Sequence, residues 1–187
     1  INHAEAATLF TRLGGSWKER GGFTKSKHRM LHGFEGRGRF KVFALGRVAD
    51  WLVTYATEGG ALMQFEISMI ESNLREVRIG DQKPAPQGAH AGVAVTVSEL
   101  HRDFRSLDPE NSVQELSEVF ALYLKDYRDV KITVDGAVVD PGANIVSTQT
   151  LSLKPIRDDD TLHDAELEII EWRSGGKRAL YLCNPQG

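Results

Sequence analysis

The chain has 187 residues, 41% of them hydrophobic and 26% charged, with a formal net charge of −3. This is the composition of one globular domain, or of one and part of another, and it lies outside the disordered range. A single cysteine, Cys183, excludes an internal disulfide and a multi-cysteine zinc site and fits a reducing, cytoplasmic compartment; no run of about 18 apolar residues is present to cross a membrane.

The chain opens on Ile1, with no leader pattern, and is expected to begin inside a longer gene product. Asn2 and Glu5 form a capping box for a first helix, with Ala6, Leu9, Phe10 and Leu13 at helical spacing and Gly14-Gly15 as its stop. Residues 14–38 are Gly-rich and polar with no sustained period, a long loop of the kind that serves as a lid. From Arg39 to Leu45 the pattern predicts a buried helix, apolar on more than one face. Strands are expected at 51–55, 62–70, 74–79 and 93–97, with Gly59-Gly60 as the first turn and 80–92 as a loop. A helix is expected from Ser112, capped by Ser112 and Glu115, with Val113, Leu116, Val119, Phe120, Tyr123, Leu124 and Tyr127 on its apolar face. Asp135-Gly136 between 131–134 and 137–139 predicts a type I′ hairpin. Beyond Pro141-Gly142 only strands are expected, near 144–153, 165–172 and 177–183.

Charge is uneven. Residues 11–50 carry ten basic residues against three acidic ones, which leaves the rest of the chain strongly acidic. A basic, Gly-rich window suits an anion. Its most informative part is the run from His32 to Lys41, where Gly33, Gly36 and Gly38 alternate with charged residues ahead of a helix start. Glycines let the backbone approach a ligand, and the unpaired N–H groups that open a helix suit a phosphate. A plain glycine turn is the competing reading. The run is neither a Walker loop, since no G-x-x-x-x-G-K-[ST] occurs, nor a Rossmann fingerprint, since Lys41 stands at the third glycine position.

The order of these elements, helix, Gly-rich basic loop, Gly-x-Gly opening a helix, then antiparallel strands, resembles the GHKL ATPases, the superfamily of gyrase B subunits, ninety-kilodalton heat-shock chaperones, histidine kinases and MutL proteins. Gly33-Phe34-Glu35-Gly36-Arg37-Gly38, with Phe40 following, resembles the family's second glycine box. Leu13 to Lys18 is similar to the opening of the ATP lid, and Ala91 to Val97 resembles the last box, with Val93 at the position of its threonine. The bacterial chaperone-like members are nearest in character.

The resemblance implies an α+β fold: a two-layer sandwich with a mostly antiparallel sheet over residues 1–143, whose 14–38 segment is an ATP lid, then the β-rich start of a transducer-like domain over 144–187. It implies binding of ATP with Mg²⁺, with Lys18, Gly33, Gly36, Arg37, Gly38, Phe40 and Lys41 around the phosphates, and a homodimeric clamp in the parent protein. The family's Mg²⁺-holding Asn, its general base and its adenine-reading Asp belong upstream of Ile1. No catalytic or metal-ligating residue is therefore expected within the chain, and alone it is expected to be inactive. The alternative from another class is a non-catalytic α+β interaction module whose basic loop meets an acidic partner or nucleic acid.

Elsewhere the chemistry-bearing residues read as structural. The six histidines show no ligand spacing. Glu166 and Glu168 alternate along a strand and share a solvated face, opposite Leu167 and Ile169. Lys154 reads as a surface lysine, although a transducer lysine reaches the γ-phosphate in some members of the family.

Overall fold

The computed structural model describes residues 1–10, 29, 38–158 and 160–173. The chain divides into two compact units, Ile1–Asp103 and Phe104–Gly187. The expected boundary after residue 143 falls inside a 3-10 turn of the second unit, Pro141–Asn144. The class is α+β, and every strand pairing among the described residues is antiparallel.

In the first unit the capping box forms as the sequence predicts. The Glu5 N–H donates to Asn2 Oδ1 at 2.8 Å, and the Asn2 N–H donates to Glu5 Oε2 at 3.0 Å. The helix it starts, α1, runs His3–Phe10; Leu13 and Gly14-Gly15 lie outside the described residues. The helix expected over 39–45 is a 3-10 helix, Gly38–Ala44, rather than an α-helix. It leads directly into β1 (Gly46–Ala56), which pairs with β2 (Leu62–Ile70) on one side and β5 (Gly92–Leu100) on the other. β3 (Arg78–Ile79) and β4 (Lys83–Pro84) add short pairings to β2.

The strand expected over 74–79 shrinks to β3. Local bonds win over extension there: the Glu76 N–H donates to Asn73 O at 3.2 Å and Asn73 Nδ2 donates to Glu76 Oε2 at 3.0 Å, closing a turn whose Leu74 and Val77 pack on the core.

Strand alternation sets the two sheet faces. Ala49, Trp51 and Val53 of β1 share one face with Phe65, Ile67 and Met69 of β2. Ala6 of α1 and Phe43 of the 3-10 helix are buried on that face, with Phe10, Phe40 and Val42 packed beside them. The first unit is thus two layers, and its core is the seam between them. Phe65 and Ile67 are almost fully buried, each contributing about 1.5–3 kcal/mol of apolar burial. The opposite face is mixed: Leu52 and Ile70 are exposed there beside polar pairs, Ser68 Oγ donating to Asp50 Oδ1 at 2.5 Å and Gln64 Nε2 to Thr54 Oγ1 at 3.1 Å.

In the second unit the helical stretch starts earlier than expected and breaks. α2 runs Pro109–Val119 and α3 Ala121–Asp126. Pro109 in the first turn sets the start, its fixed φ suiting a helix that needs no N–H there. Ser112 is consequently inside the helix, and its hydroxyl donates to Ser106 O at 2.7 Å instead of capping. The Ser117 hydroxyl, fully buried, donates back to Gln114 O at 2.7 Å, a bond that competes with the helix ladder just ahead of the break at Phe120. Val119, expected on the apolar face, is 74% exposed.

The hairpin of β6 (Thr133–Val134) and β7 (Ala137–Val138) has positive φ at both Asp135 and Gly136, the type I′ geometry. β8 (Ile145–Ser152) pairs with β11 (Glu166–Trp172). Between them β9 (Ile156–Asp158) and β10 (Thr161–His163) form a hairpin, outside the strand ranges expected from the sequence. The register puts Glu166 and Glu168 opposite Ser152 and Thr150, with Leu167 and Ile169 on the other face, as alternation requires. Lys125 of α3 pairs with Glu168. Lys154 is exposed between β8 and β9. Cys183 and the strand expected at 177–183 lie outside the described residues.

Candidate functional site

α1 reaches from one candidate feature to another, about 12 Å for eight residues at 1.5 Å each. At its N-terminal end is an open cavity of about 470 Å³. Asn2 and Glu5 line it from α1, Val53 to Ala56 from the end of β1, and Ala91, Gly92 and Val93 from the start of β5. The strands bring these together because β5 is antiparallel to β1, with Val93 opposite Val53 and Gly92 opposite Thr54. The last-box residues of the sequence reading therefore lie on a cavity, and Val93, half exposed at 51%, gives it an apolar wall. A second hollow of about 340 Å³ lies beyond Tyr55, lined by His3, Glu58 and Gln82 among others. The Tyr55 hydroxyl donates to Gln82 Oε1 at 2.5 Å, and His3 is fixed by Gly80 O at 3.0 Å and by an edge contact with Phe65.

At the C-terminal end of α1 is the glycine turn. Of the seven predicted phosphate-side residues, Gly38, Phe40 and Lys41 are described; Lys18, Gly33, Gly36 and Arg37 lie outside the described residues, as does the 14–38 segment apart from Arg29 and Gly38. Gly38 opens the 3-10 helix, and a Cβ built there meets nothing within 4 Å among the described residues. Phe40 turns inward onto the core, and Lys41 is exposed.

Sequence reasoning missed Arg39 as a site residue. Its guanidinium carbon lies 4.9 Å from the centroid of the Phe40 ring and 5.3 Å from that of Phe10. Burial between them pushes its pKa down from the usual arginine value, since desolvation disfavours the charged form. The signal available in the sequence was an arginine flanked by Gly38 and Phe40, which a count of basic residues hides. Phe10 in turn meets Trp51 edge-on at 5.5 Å, so the stack is continuous with the core.

The far end of the 3-10 helix is held by His101, just past β5. Its Nε2–H donates to Phe43 O at 3.0 Å and its backbone N–H to Leu45 O at 3.0 Å. Glu71 Oε1 lies 3.6 Å from the same Nε2, and Arg47 Nε lies 4.0 Å from Glu71. His101 is thus a structural clamp.

Among the described residues no group of three or more His, Cys, Asp or Glu is placed to hold a metal ion, and the carboxylate on the first cavity, Glu5, is engaged in the helix cap. Among the described residues no helix is long and apolar enough to cross a membrane.

No protein-family model, curated protein or solved structure matches the chain.

Proposed function

We propose that the chain is the nucleotide-binding part of a GHKL-type ATPase of chaperone-like or clamp type, in which ATP binding drives a conformational change of a homodimer. The observation that carries this reading is the placement of two features at opposite ends of α1: a cavity walled by Ala91–Val93 and the first turn of the helix, and the Gly38 turn, open at the Cβ position among the described residues and followed by Arg39 and Lys41. In this reading the base enters the cavity, against the apolar wall of Val93, and the phosphates approach the turn, where backbone N–H groups and the cationic side chain of Lys41 meet negative charge. Within the family fold, the α1 and 3-10 layer over the antiparallel sheet is part of the nucleotide-binding sandwich, and β8–β11 begin a transducer-like domain. This reading assigns no hydrolytic step to the described residues.

Titration with ATP at micromolar to millimolar concentrations, followed by calorimetry and by amide chemical shifts, tests the reading. The expected result is saturable binding with shifts at both ends of α1, around Ala91–Val93 and around Gly38. Salt-sensitive binding of a polyanion, with no response to ATP, would instead favour the interaction-module alternative.

A further inference from the structure

We propose that Arg39 is the positioning residue of the glycine turn: with its guanidinium over the rings of Phe10 and Phe40, it fixes the backbone that carries Gly38, and does so without touching the nucleotide. The inference rests on the phosphate reading of Gly38 given above.

The need for such a residue follows from the local structure. The 3-10 helix Gly38–Ala44 is seven residues long, whereas runs beyond three or four residues are uncommon because their hydrogen bonds are poorly aligned. This one must be held from outside. Its last half has anchors: Phe43 is buried and its carbonyl accepts from His101, whose own N–H holds Leu45. Among the described residues its first residue has no such anchor: Gly38 is exposed and a Cβ there meets nothing within 4 Å. The anchor of the first turn is the pair that follows, Arg39 and Phe40.

A guanidinium suits that task. It is planar and weakly hydrated, so it stacks between aromatic faces at lower desolvation cost than an ammonium. Here the guanidinium lies over two rings, that of Phe40, its own neighbour, and that of Phe10, the last residue of α1. Phe10 is itself packed against Trp51, which is 7% exposed. Arg39 thereby ties the glycine turn to α1 and through it to the sheet. The same helix lines the base-side cavity with Asn2 and Glu5, so one rigid element sets the spacing between the two ends of the site. Burial of the guanidinium agrees with this inward role; Lys41, two residues on and exposed, is the side chain left to face an anion.

The test compares Arg39→Met, Arg39→Lys, Phe10→Leu and the Arg39→Met/Phe10→Leu double variant with the wild type, at a temperature where circular dichroism shows all of them folded. Two quantities are read: amide exchange over Gly38–Ala44 in the free protein, and ATP affinity. A positioning role predicts faster exchange and roughly tenfold weaker ATP binding in Arg39→Met, and the same two changes in Phe10→Leu, although Phe10 carries no charge. It also predicts that the double variant is no worse than the poorer single one, because both remove one coupling, and that Arg39→Lys does not restore wild-type affinity. Weaker ATP binding in Arg39→Met with Phe10→Leu unaffected would mean direct contact with the phosphates and would overturn the proposal. Unchanged exchange in both single variants, or additive losses in the double variant, would overturn it too. A wild type that takes up no ATP overturns the phosphate reading itself; that outcome is told apart because exchange over Gly38–Ala44 is measured without ligand.

Discussion

The two ends of the 3-10 helix each carry a glycine, and the two glycines stand in opposite situations. At the exit, a Cβ on Gly46 would lie 2.5 Å from Ser98 O and 3.0 Å from a methyl of Val97. The backbones of β1 and β5 approach so closely there that only glycine fits, and the strain extends to Glu99, whose φ is +52°. At the entry, a Cβ on Gly38 meets nothing within 4 Å among the described residues, and its φ lies outside the left-handed region. Packing against the described residues therefore accounts for Gly46 and places no such demand on Gly38. A glycine with no such constraint among the described residues, next to Arg37 and Arg39 in sequence and ahead of a helix start, is compatible with the anion-binding turn proposed above.

Substitution separates the two situations, and the largest effect is expected at the exit. Gly46→Val forces a branched side chain into backbone and should destabilise the first unit by about 3–4 kcal/mol, through overpacking and separation of β1 from β5. Urea denaturation measures this; a loss under about 1 kcal/mol would show that β5 moves aside freely and that the contrast is weaker than drawn. Gly38→Val is expected to do the reverse. Its cost in stability should stay near 1 kcal/mol, while ATP affinity falls by about 2–3 kcal/mol as the approach of the anion to the backbone is blocked. Calorimetry and a melting curve on the same sample check both halves. A large stability loss with unchanged ATP binding would make Gly38 a second Gly46.

The same contrast explains what the sequence made legible. Features decided by two or three neighbouring residues came through: the Asn2–Glu5 box, the turn at Asp135-Gly136, the extent of β2, and the alternation that puts Leu167 and Ile169 opposite Glu166 and Glu168. Features decided by distant partners did not. The run Arg39–Leu45 has helical composition, but its carbonyls at Phe43 and Leu45 are claimed by His101 from the far end of β5, and the segment settles as a 3-10 helix. Ser112 and Glu115 have capping-box spacing, yet Pro109 begins the helix three residues earlier. The cavity was legible only as a motif, Ala91-Gly92-Val93; that Asn2 and Glu5 share it is a consequence of how α1 lies on the sheet. Arg39 was hidden because a stacked arginine and a solvated one look alike in a charge count.

Smaller effects sharpen the comparison at each end. His101→Ala removes the donor that serves Phe43 O and leaves that carbonyl short of a partner beneath the exit of the 3-10 helix. The expected cost is about 1–2 kcal/mol, with faster amide exchange at residues 43–45 and little change at Gly38. Equal acceleration along the whole helix would show that its two ends are not anchored separately.

The smallest effect is expected from Asn2→Ala, at the other end of α1. It deletes the side-chain acceptor of the Glu5 N–H, held at 2.8 Å, and so opens one half of the capping box, while the backbone carbonyl of Asn2 still accepts from Ala6 at 3.0 Å. Loss of an N-cap acceptor costs typically about 1 kcal/mol. The fraying is confined to the first turn, because His3 is held independently by Gly80 O and Phe65, and Ala6 is fully buried. Phe10, two turns away, keeps its contacts with Trp51 and Arg39. Exchange over Gly38–Ala44 should therefore stay at the wild-type rate in Asn2→Ala, even as exchange at Glu5 rises. If Gly38–Ala44 also loosened, the glycine turn would depend on α1 as a whole and not on Phe10 alone, and the cavity and the turn would have to be treated as one cooperative site.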